Sequence, residues 1–302
     1  MTYVNYLNCN KGNRGTGTIE CEIPTGVPVG FIPVPKGWTH DPTTETFDDD
    51  YITEQIKKRN FIPFLDSIGF TPDNEERGIF TTQTKIKIKS INGKPGFIFD
   101  YANGYHFHKA AFSHNSYDRY DFILVYDNGV LFLAETNDGK LKGHKGGIMD
   151  TDNYMHANGT DSEKTSVMIQ LTNPDEYNLS GVLLDPAANS FDMDNHRGIV
   201  DATVEKVSNN TADVVVKVNV AANSAIAVKG LDETNFRALG TSETIDSIAY
   251  DNTLDDGTYT LTFSADVSSD YANMIIELYD ASDSTSVIQV TSGTLYQGKS
   301  AA

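Results

Sequence analysis

The hydrophobic pattern is most distinctive between Asp121 and Glu135, which reads D-F-I-L-V-Y-D-N-G-V-L-F-L-A-E. Two apolar, β-rich runs, Phe122 to Tyr126 and Val130 to Ala134, flank Asp127-Asn128-Gly129. Asn-Gly at the centre of a two-residue loop supplies the positive φ angles of a type I′ turn, whose twist matches the strands it joins. The stretch therefore predicts a β-hairpin. Its arms do not alternate: Phe122, Ile123, Leu124 and Val125 follow one another, which calls for cover on both faces. One cover is the domain's own core. The other is a further layer of the same chain or a neighbouring subunit.

Around this hairpin the pattern changes several times. Residues 1–38 interleave six glycines with Pro24, Pro28, Pro33 and Pro35, which fix extended geometry while removing backbone donors. A central strand is excluded there, and either an extended arm lying over something else or a loosely ordered terminus is expected. Phe47 to Arg59 predicts a helix, with Asp48, Asp49 and Asp50 at its start, Lys57-Lys58-Arg59 at its end, and Ile52 and Ile56 on one stripe. From Thr84 to Lys89 the alternation is strict, placing Lys85, Lys87 and Lys89 on one face of a strand and Ile86 and Ile88 on the other. Asn92-Gly93 then leads into Phe97 to Tyr101. Thr136 to Lys164 is polar and Gly-rich and reads as a long loop, followed by a strand over Thr165 to Leu171.

After Leu179 aromatic residues thin out, and short strands recur between turn signals: Ile199–Val207, Ala212–Val220, Ser224–Lys229, Thr258–Ala265, Ile275–Asp280 and Ser286–Thr291. That spacing is the pattern of an immunoglobulin-like sandwich. Asp256-Gly257-Thr258-Tyr259-Thr260 resembles the entry to a late strand in disulfide-free bacterial and phage Ig-like modules, which implies that Tyr259 packs at a sheet corner. The expected fold is mainly β: a first domain over residues 1–180, a β-sandwich or half-barrel with one packed helix, then an Ig-like domain over 181–302.

Charge narrows the function. The net charge is −19, and splitting the chain at Ser180 leaves −7 before it and −12 after it. An acidic excess in both parts argues against holding a phosphate backbone. The first residues show neither a basic nor an apolar leader region, and no apolar run is long enough to span a membrane. Cys9 and Cys21 form no disulfide scaffold, and a reduced compartment explains them as well as a bridge does.

Candidate chemistry is sparse. His106-Phe107-His108 on a strand would place two imidazoles on one face, with His114 nearby, but a third ligand at a convincing spacing is missing. Gly139 to Gly147 lacks the order of a phosphate-binding loop and reads as a flexible basic tip. Asp192-Met193-Asp194-Asn195 and Asp251 to Gly257 complete no EF-hand and read as acidic turns. No catalytic constellation stands out, and no cofactor is expected. Tyr101, Tyr105, Phe107, Phe112, Tyr117 and Tyr120 are candidate aromatic platforms for a surface-binding role, such as an adhesin or a carbohydrate-binding module.

In order of features, the first part of the chain resembles tail-tube-type structural proteins of tailed bacteriophages of Bacteroidota-type hosts. The features are L-N-C-N-K-G-N-R-G (Leu7 to Gly15), a short helix before the β region, the V-Y-D-N-G-V-L-F hairpin, a Gly/Lys loop, and L-T-N-P-D-E-Y (Leu171 to Tyr177). The resemblance implies a virion protein that assembles with itself, in sixfold rings, and with other virion proteins. DNA would pass through as cargo that does not stick. Other virion roles are a tail terminator, a head-tail connector or a decoration protein. On this reading the assembly residues are Phe122, Leu124, Tyr126, Leu131 and Leu133. Lys85, Lys87 and Lys89 lie at a subunit contact or outside, and Asp121, Asp127 and Glu135 lie nearest the bore.

Overall fold

The computed structural model describes residues 26–290 and 293–301. Expectations for Leu7 to Gly15, for Cys9 and Cys21, and for the start of the arm fall outside the described residues. The fold is mainly β, 43% strand and 13% helix, with a curled half-barrel sheet. The chain divides into two compact units, Met1–Arg197 and Gly198–Ala302.

Two sheets and their cover make up the first unit. The curled sheet orders β1 (Pro28–Pro35), β8 (Tyr120–Tyr126), β9 (Leu131–Glu135), β10 (Leu141–Lys142) and β2 (Thr39–His40), with β13 (Gly181–Leu184) also paired to β9. The second sheet orders β3 (Gly69–Pro72), β6 (Gly96–Tyr101), β12 (Thr165–Leu171), β11 (Gly146–Thr151) and β7 (Ser116–Tyr117). A separate ribbon joins β4 (Gly78–Thr81) to β5 (Lys87–Ile91). The Pro-rich segment is β1, the last strand of its sheet, and residues 62–67 run along its outer side, where Phe31 and Phe64 exchange backbone hydrogen bonds at 2.9 Å.

The central hairpin is covered twice by its own chain. One face carries Phe122 and Leu124, which join Phe31, Phe99, Tyr101, Met149, Val167 and Ile169 between the sheets. Register places Ile32 opposite Ile123 on the other face, and Val125 opposite Leu131. Ile32, Ile123, Leu131 and Leu133 are fully buried there. Helix α1 (Asp49–Lys57) also buries Tyr51, Ile52 and Ile56. Asp48 caps that helix by accepting from Tyr51 N at 3.0 Å, and Arg59 stops it by turning left-handed at φ 59°. The helix is therefore shorter at both ends than Phe47 to Arg59. Of the two covers that the apolar run demands, both belong to this chain.

Its turn is not type I′. Tyr126 N donates to Val130 O at 3.0 Å and Gly129 N donates to Tyr126 O at 2.9 Å. Of Asp127, Asn128 and Gly129, Gly129 is the one with positive φ, at 76°. That is a three-residue loop, a type I turn closed by a left-handed glycine.

Residues 136–164 are also not one long loop, because they contribute β10 and β11. The glycines let strands pass closely: a Cβ on Gly146 would lie 2.1 Å from the Tyr120 carbonyl oxygen. The first unit likewise continues past Gly181. Strand β13 pairs with β9 from Gly181↔Ala134 to Leu184↔Leu131, so the change in composition near Leu179 precedes the structural division at Arg197.

In the second unit one sheet orders β18 (Ile245–Tyr250), β19 (Thr258–Phe263), β15 (Asp213–Val220), β14 (Ile199–Asn210), β22 (Leu295–Gln297) and β21 (Ile288–Gln289). Strand β16 (Asn223–Ala227) pairs with β15. A ribbon of β17 (Phe236–Leu239) and β20 (Ile275–Leu278) supplies further core. Alternation in β15 buries Val214, Val216 and Val218 against Leu261, Phe236, Ile276 and Leu278. Tyr259 is buried in that core and its hydroxyl donates to Val228 O at 2.8 Å.

Candidate functional site: an uncovered hairpin

The most unusual surface of the first unit lies on the β4–β5 ribbon. From Arg77 to Lys94 the chain carries five basic residues and no acidic one. Thr82 N donates to Ile86 O at 2.9 Å and Lys85 N donates to Thr82 O at 2.9 Å, closing a three-residue loop with Lys85 left-handed at φ 62°. Phe80 pairs with Ile88, Thr81 with Lys87 and Ile79 with Lys89. The alternation is as the sequence predicts, but among the described residues nothing covers the apolar side. Phe80, Ile86 and Ile88 share that side and are 62, 60 and 50% exposed; Ile79, opposite Lys89 on the lysine side, is 59% exposed, and Ile91, next to the register irregularity, 68%.

The ribbon is held at its base and left free at its tip. Glu75 N donates to Lys94 O at 2.9 Å, and Asn92 Nδ2 reaches Asp175 Oδ1 at 2.6 Å. Gln170 Nε2 donates to Glu75 Oε1 at 3.0 Å, tying the approach to β12. Among the described residues no other strand pairs with β4 or β5, and Lys85, Lys87 and Lys89 have no carboxylate partner. A two-stranded ribbon alone in water is marginal, and its open edges invite pairing.

The residues singled out in the sequence distribute differently. Phe122, Leu124, Leu131 and Leu133 are core residues, at most 1% exposed, and make no surface contact. Tyr126 is half-buried. Asp121 is buried as well; its carboxylate accepts from Gly37 N at 3.0 Å and Gly146 N at 3.1 Å. Burial raises its pKa, and those two amide bonds act in the opposite direction. It joins the end of β1 to the start of β11, so it is a structural staple. Asp127 is exposed and Glu135 half-buried.

The histidine pair sits on helix α2 (Gly104–Ser113), not on a strand. Two residues apart on a helix point to different faces, so H-x-H makes no shared face there. Instead Tyr105, His108 and Phe112 form a stripe at helical spacing, and Tyr154 lies against it, with ring centroids 5.3 Å from both Tyr105 and His108. Of the aromatic candidates, Tyr101 and Tyr120 are buried and Phe107 half-buried, whereas Tyr105, Phe112 and Tyr117 are exposed.

Gly139 to Gly147 is packed structure rather than a mobile tip. Lys142 pairs with Glu176, and Lys145 N donates to Glu176 Oε1 at 2.8 Å. The acidic turns are occupied by their own chain. Asp192 caps a single 3₁₀ turn, Asp251 accepts from Thr253 N at 2.8 Å, and Asp255 pairs with Lys229 at 2.7 Å. Among the described residues no group of three His, Cys, Asp or Glu side chains could hold a metal. No helix among them is long and apolar enough to cross a membrane.

Two features had no sequence signal. His40 and His144 are buried, and neither ring has a hydrogen-bond partner among the described residues. Burial lowers His40 to about 4 and His144 to about 3. A cleft of about 280 Å³ opens beside the central hairpin's turn. Its floor includes Val29, Leu65, Val125 and Met193, and Asp66, Asp127, Asp192 and Asp194 also line it. No protein-family model matches the chain, and no curated protein matches it.

Proposed function

We propose that this chain is a virion structural protein, a tail-tube-type subunit that associates with further copies through its first unit into rings forming a DNA conduit. The observation that carries the reading is the β4–β5 ribbon, whose five large apolar side chains are half-exposed or more. Monomeric proteins keep such patches small, and contiguous ones mark interaction surfaces. A subunit whose ribbon is always covered in an assembly avoids the aggregation that an open edge otherwise causes.

The resemblance of Leu171 to Tyr177 and of the central hairpin to tail-tube proteins supports rings, and the sixfold symmetry rests on that resemblance alone. The net charge of −19 suits a wall that does not retain DNA. The role is structural, without catalysis or a cofactor, and its partners are copies of itself and other virion proteins. A head-tail connector, a tail terminator and a decoration protein rest on the same association. Negative-stain imaging of the purified chain, alone and with virion partners, is expected to reveal rings or tubes. A chain that stays monomeric at high concentration in both settings contradicts the reading.

One observation favours a second reading, a carbohydrate-binding surface. Tyr105 and Phe112 are 59% and 53% exposed on one helical stripe beside Tyr154. Exposed rings offer flat apolar faces of the kind that sugar rings stack on. Titration with a panel of soluble oligosaccharides tests it: saturable binding lost in Tyr105→Ala supports it, and no binding across the panel removes it.

A further inference from the structure

Charge is divided within this chain in a way that specifies where the ribbon docks. The segment Arg77–Lys94 carries five basic residues and no acidic one, and the remaining residues carry 18 basic against 42 acidic. The ribbon is thus a cationic, apolar element in an otherwise anionic molecule. The cleft beside the central hairpin has the opposite character. Leu65, Val125 and Met193 are among its lining residues, Val125 and Met193 almost fully buried, and the carboxylates of Asp66, Asp127 and Asp194 line it as well. Asp66 is paired with Arg197 at 2.9 Å, whereas Asp127 and Asp194 have no cationic partner among the described residues.

We infer that the ribbon of one copy docks at this cleft of a second copy, with Ile86 and Ile88 facing its apolar residues and the long stems of Lys85, Lys87 and Lys89 reaching round the strand edge to Asp127 and Asp194 at its rim. The inference rests on the self-association proposed above and names the two surfaces that make it. About 280 Å³ leaves room for more than one aliphatic side chain. Alternation along β5 puts Lys and Ile on opposite faces, so the isoleucines face the cleft while the flexible lysine stems bring their charges to its rim. Ribbon and cleft are different patches of one chain, so the contact is heterologous. Repeated, it closes into a ring or runs on as a filament, but it does not stop at a symmetric dimer. Opposite charges on the two patches also disfavour ribbon-to-ribbon and cleft-to-cleft encounters.

Charge reversal tests the pairing in the full chain. One variant carries Lys85→Glu, Lys87→Glu and Lys89→Glu, and a second carries Asp127→Lys and Asp194→Lys. All five side chains are exposed, so thermal melts are expected to match the unaltered chain. In sedimentation velocity each variant alone is expected to associate roughly tenfold more weakly, or not at all. Mixing the two, or combining both reversals in one chain, restores association, because an acidic ribbon then meets a basic cleft. Raising salt from about 0.05 M to about 0.5 M weakens every charge-matched form.

If ribbon reversal dissociates the protein but cleft reversal does not, self-association stands and this docking site is wrong. If neither reversal matters, the inference also falls. A chain that never associates overturns both proposals. Tight binding of duplex DNA that is lost on ribbon reversal assigns the ribbon to nucleic acid instead.

Discussion

The two hairpins of the first unit have the same loop and opposite surroundings. β8–β9 and β4–β5 each close on three residues with the third in the left-handed region, Gly129 at φ 76° and Lys85 at φ 62°. In the first, Phe122, Ile123, Leu124, Leu131 and Leu133 are buried to 1% or less; in the second, Phe80, Ile86 and Ile88 are at least half exposed. A run that is apolar at every position obtains its two covers from the same chain, as a stable core strand must. A run that alternates Lys with Ile has one apolar side, and among the described residues that side has no cover. The difference bears on where the proposed self-association belongs. Burial assigns the central hairpin to stability, and exposure leaves the peripheral ribbon for partners.

The largest effect that separates them is a polar substitution in each. Leu131→Asp puts a carboxylate into a fully buried site and is expected to cost about 4 kcal/mol or more, enough to unfold the first unit. Phe80→Ser, at a site 62% exposed, is expected to leave the melt within about 0.5 kcal/mol of the unaltered chain. Chemical denaturation of the two variants measures this, and comparable losses would erase the distinction.

Acid should attack the covered hairpin's surroundings next. His144 packs its ring against Phe132 at 4.5 Å and His40 packs against Tyr51 at 4.5 Å, both without hydrogen-bond partners among the described residues. In the unfolded chain both titrate near 6.5, whereas in the fold they titrate near 3 and 4. The unfolded state therefore binds more protons in this window. The stability contributed by the neutral rings is full above pH 6.5 and is lost as pH falls. Going from pH 7 to pH 5 is expected to remove about 2 kcal/mol per histidine. His144→Phe should flatten that slope in pH-dependent denaturation. The raised pKa of Asp121 acts with the opposite sign above its ordinary value of 3.8 and offsets a small part of the loss.

Asp121 gives a smaller, local effect. Asp121→Ala leaves the Gly37 and Gly146 amides without their acceptor and is expected to cost about 1–3 kcal/mol. Asp121→Asn keeps one acceptor oxygen and should recover part of it. The smallest effect lies in the loops themselves. Gly129→Ala introduces a Cβ at φ 76° and should cost about 1–2 kcal/mol, while Lys85→Gly relieves the same kind of strain in the ribbon. Denaturation midpoints of these variants read both changes.

What the sequence made legible follows from which physics is local. The β15 alternation of Val214, Val216 and Val218 reads directly as one buried face, and β8 reads as buried on both. The type I′ assignment failed because Asp127 belongs to the loop and not to the strand, which one hydrogen bond decides. Gly143 and Gly146 looked like flexibility, yet they mark close approaches between strands that only the assembled sheet reveals. A strand is expected over His106 to His108, yet Tyr105, His108 and Phe112 carry a helical period and the segment is α2. Most consequential, the Lys85–Lys89 alternation tells which side chains share a face and is silent on whether anything sits over it. The cleft combines residues from distant segments, Leu65, Val125 and Met193 among them, and no local pattern joins those.

The central claim is that the ribbon, and not the central hairpin, makes the contacts between copies. Its most direct measurement is sedimentation velocity of the full chain beside Phe80→Ser with Ile88→Ser, at matched concentration and with matched melts. The account predicts large assemblies for the unaltered chain and monomer for the double variant, with folding unchanged. Assemblies of equal size in both would contradict it.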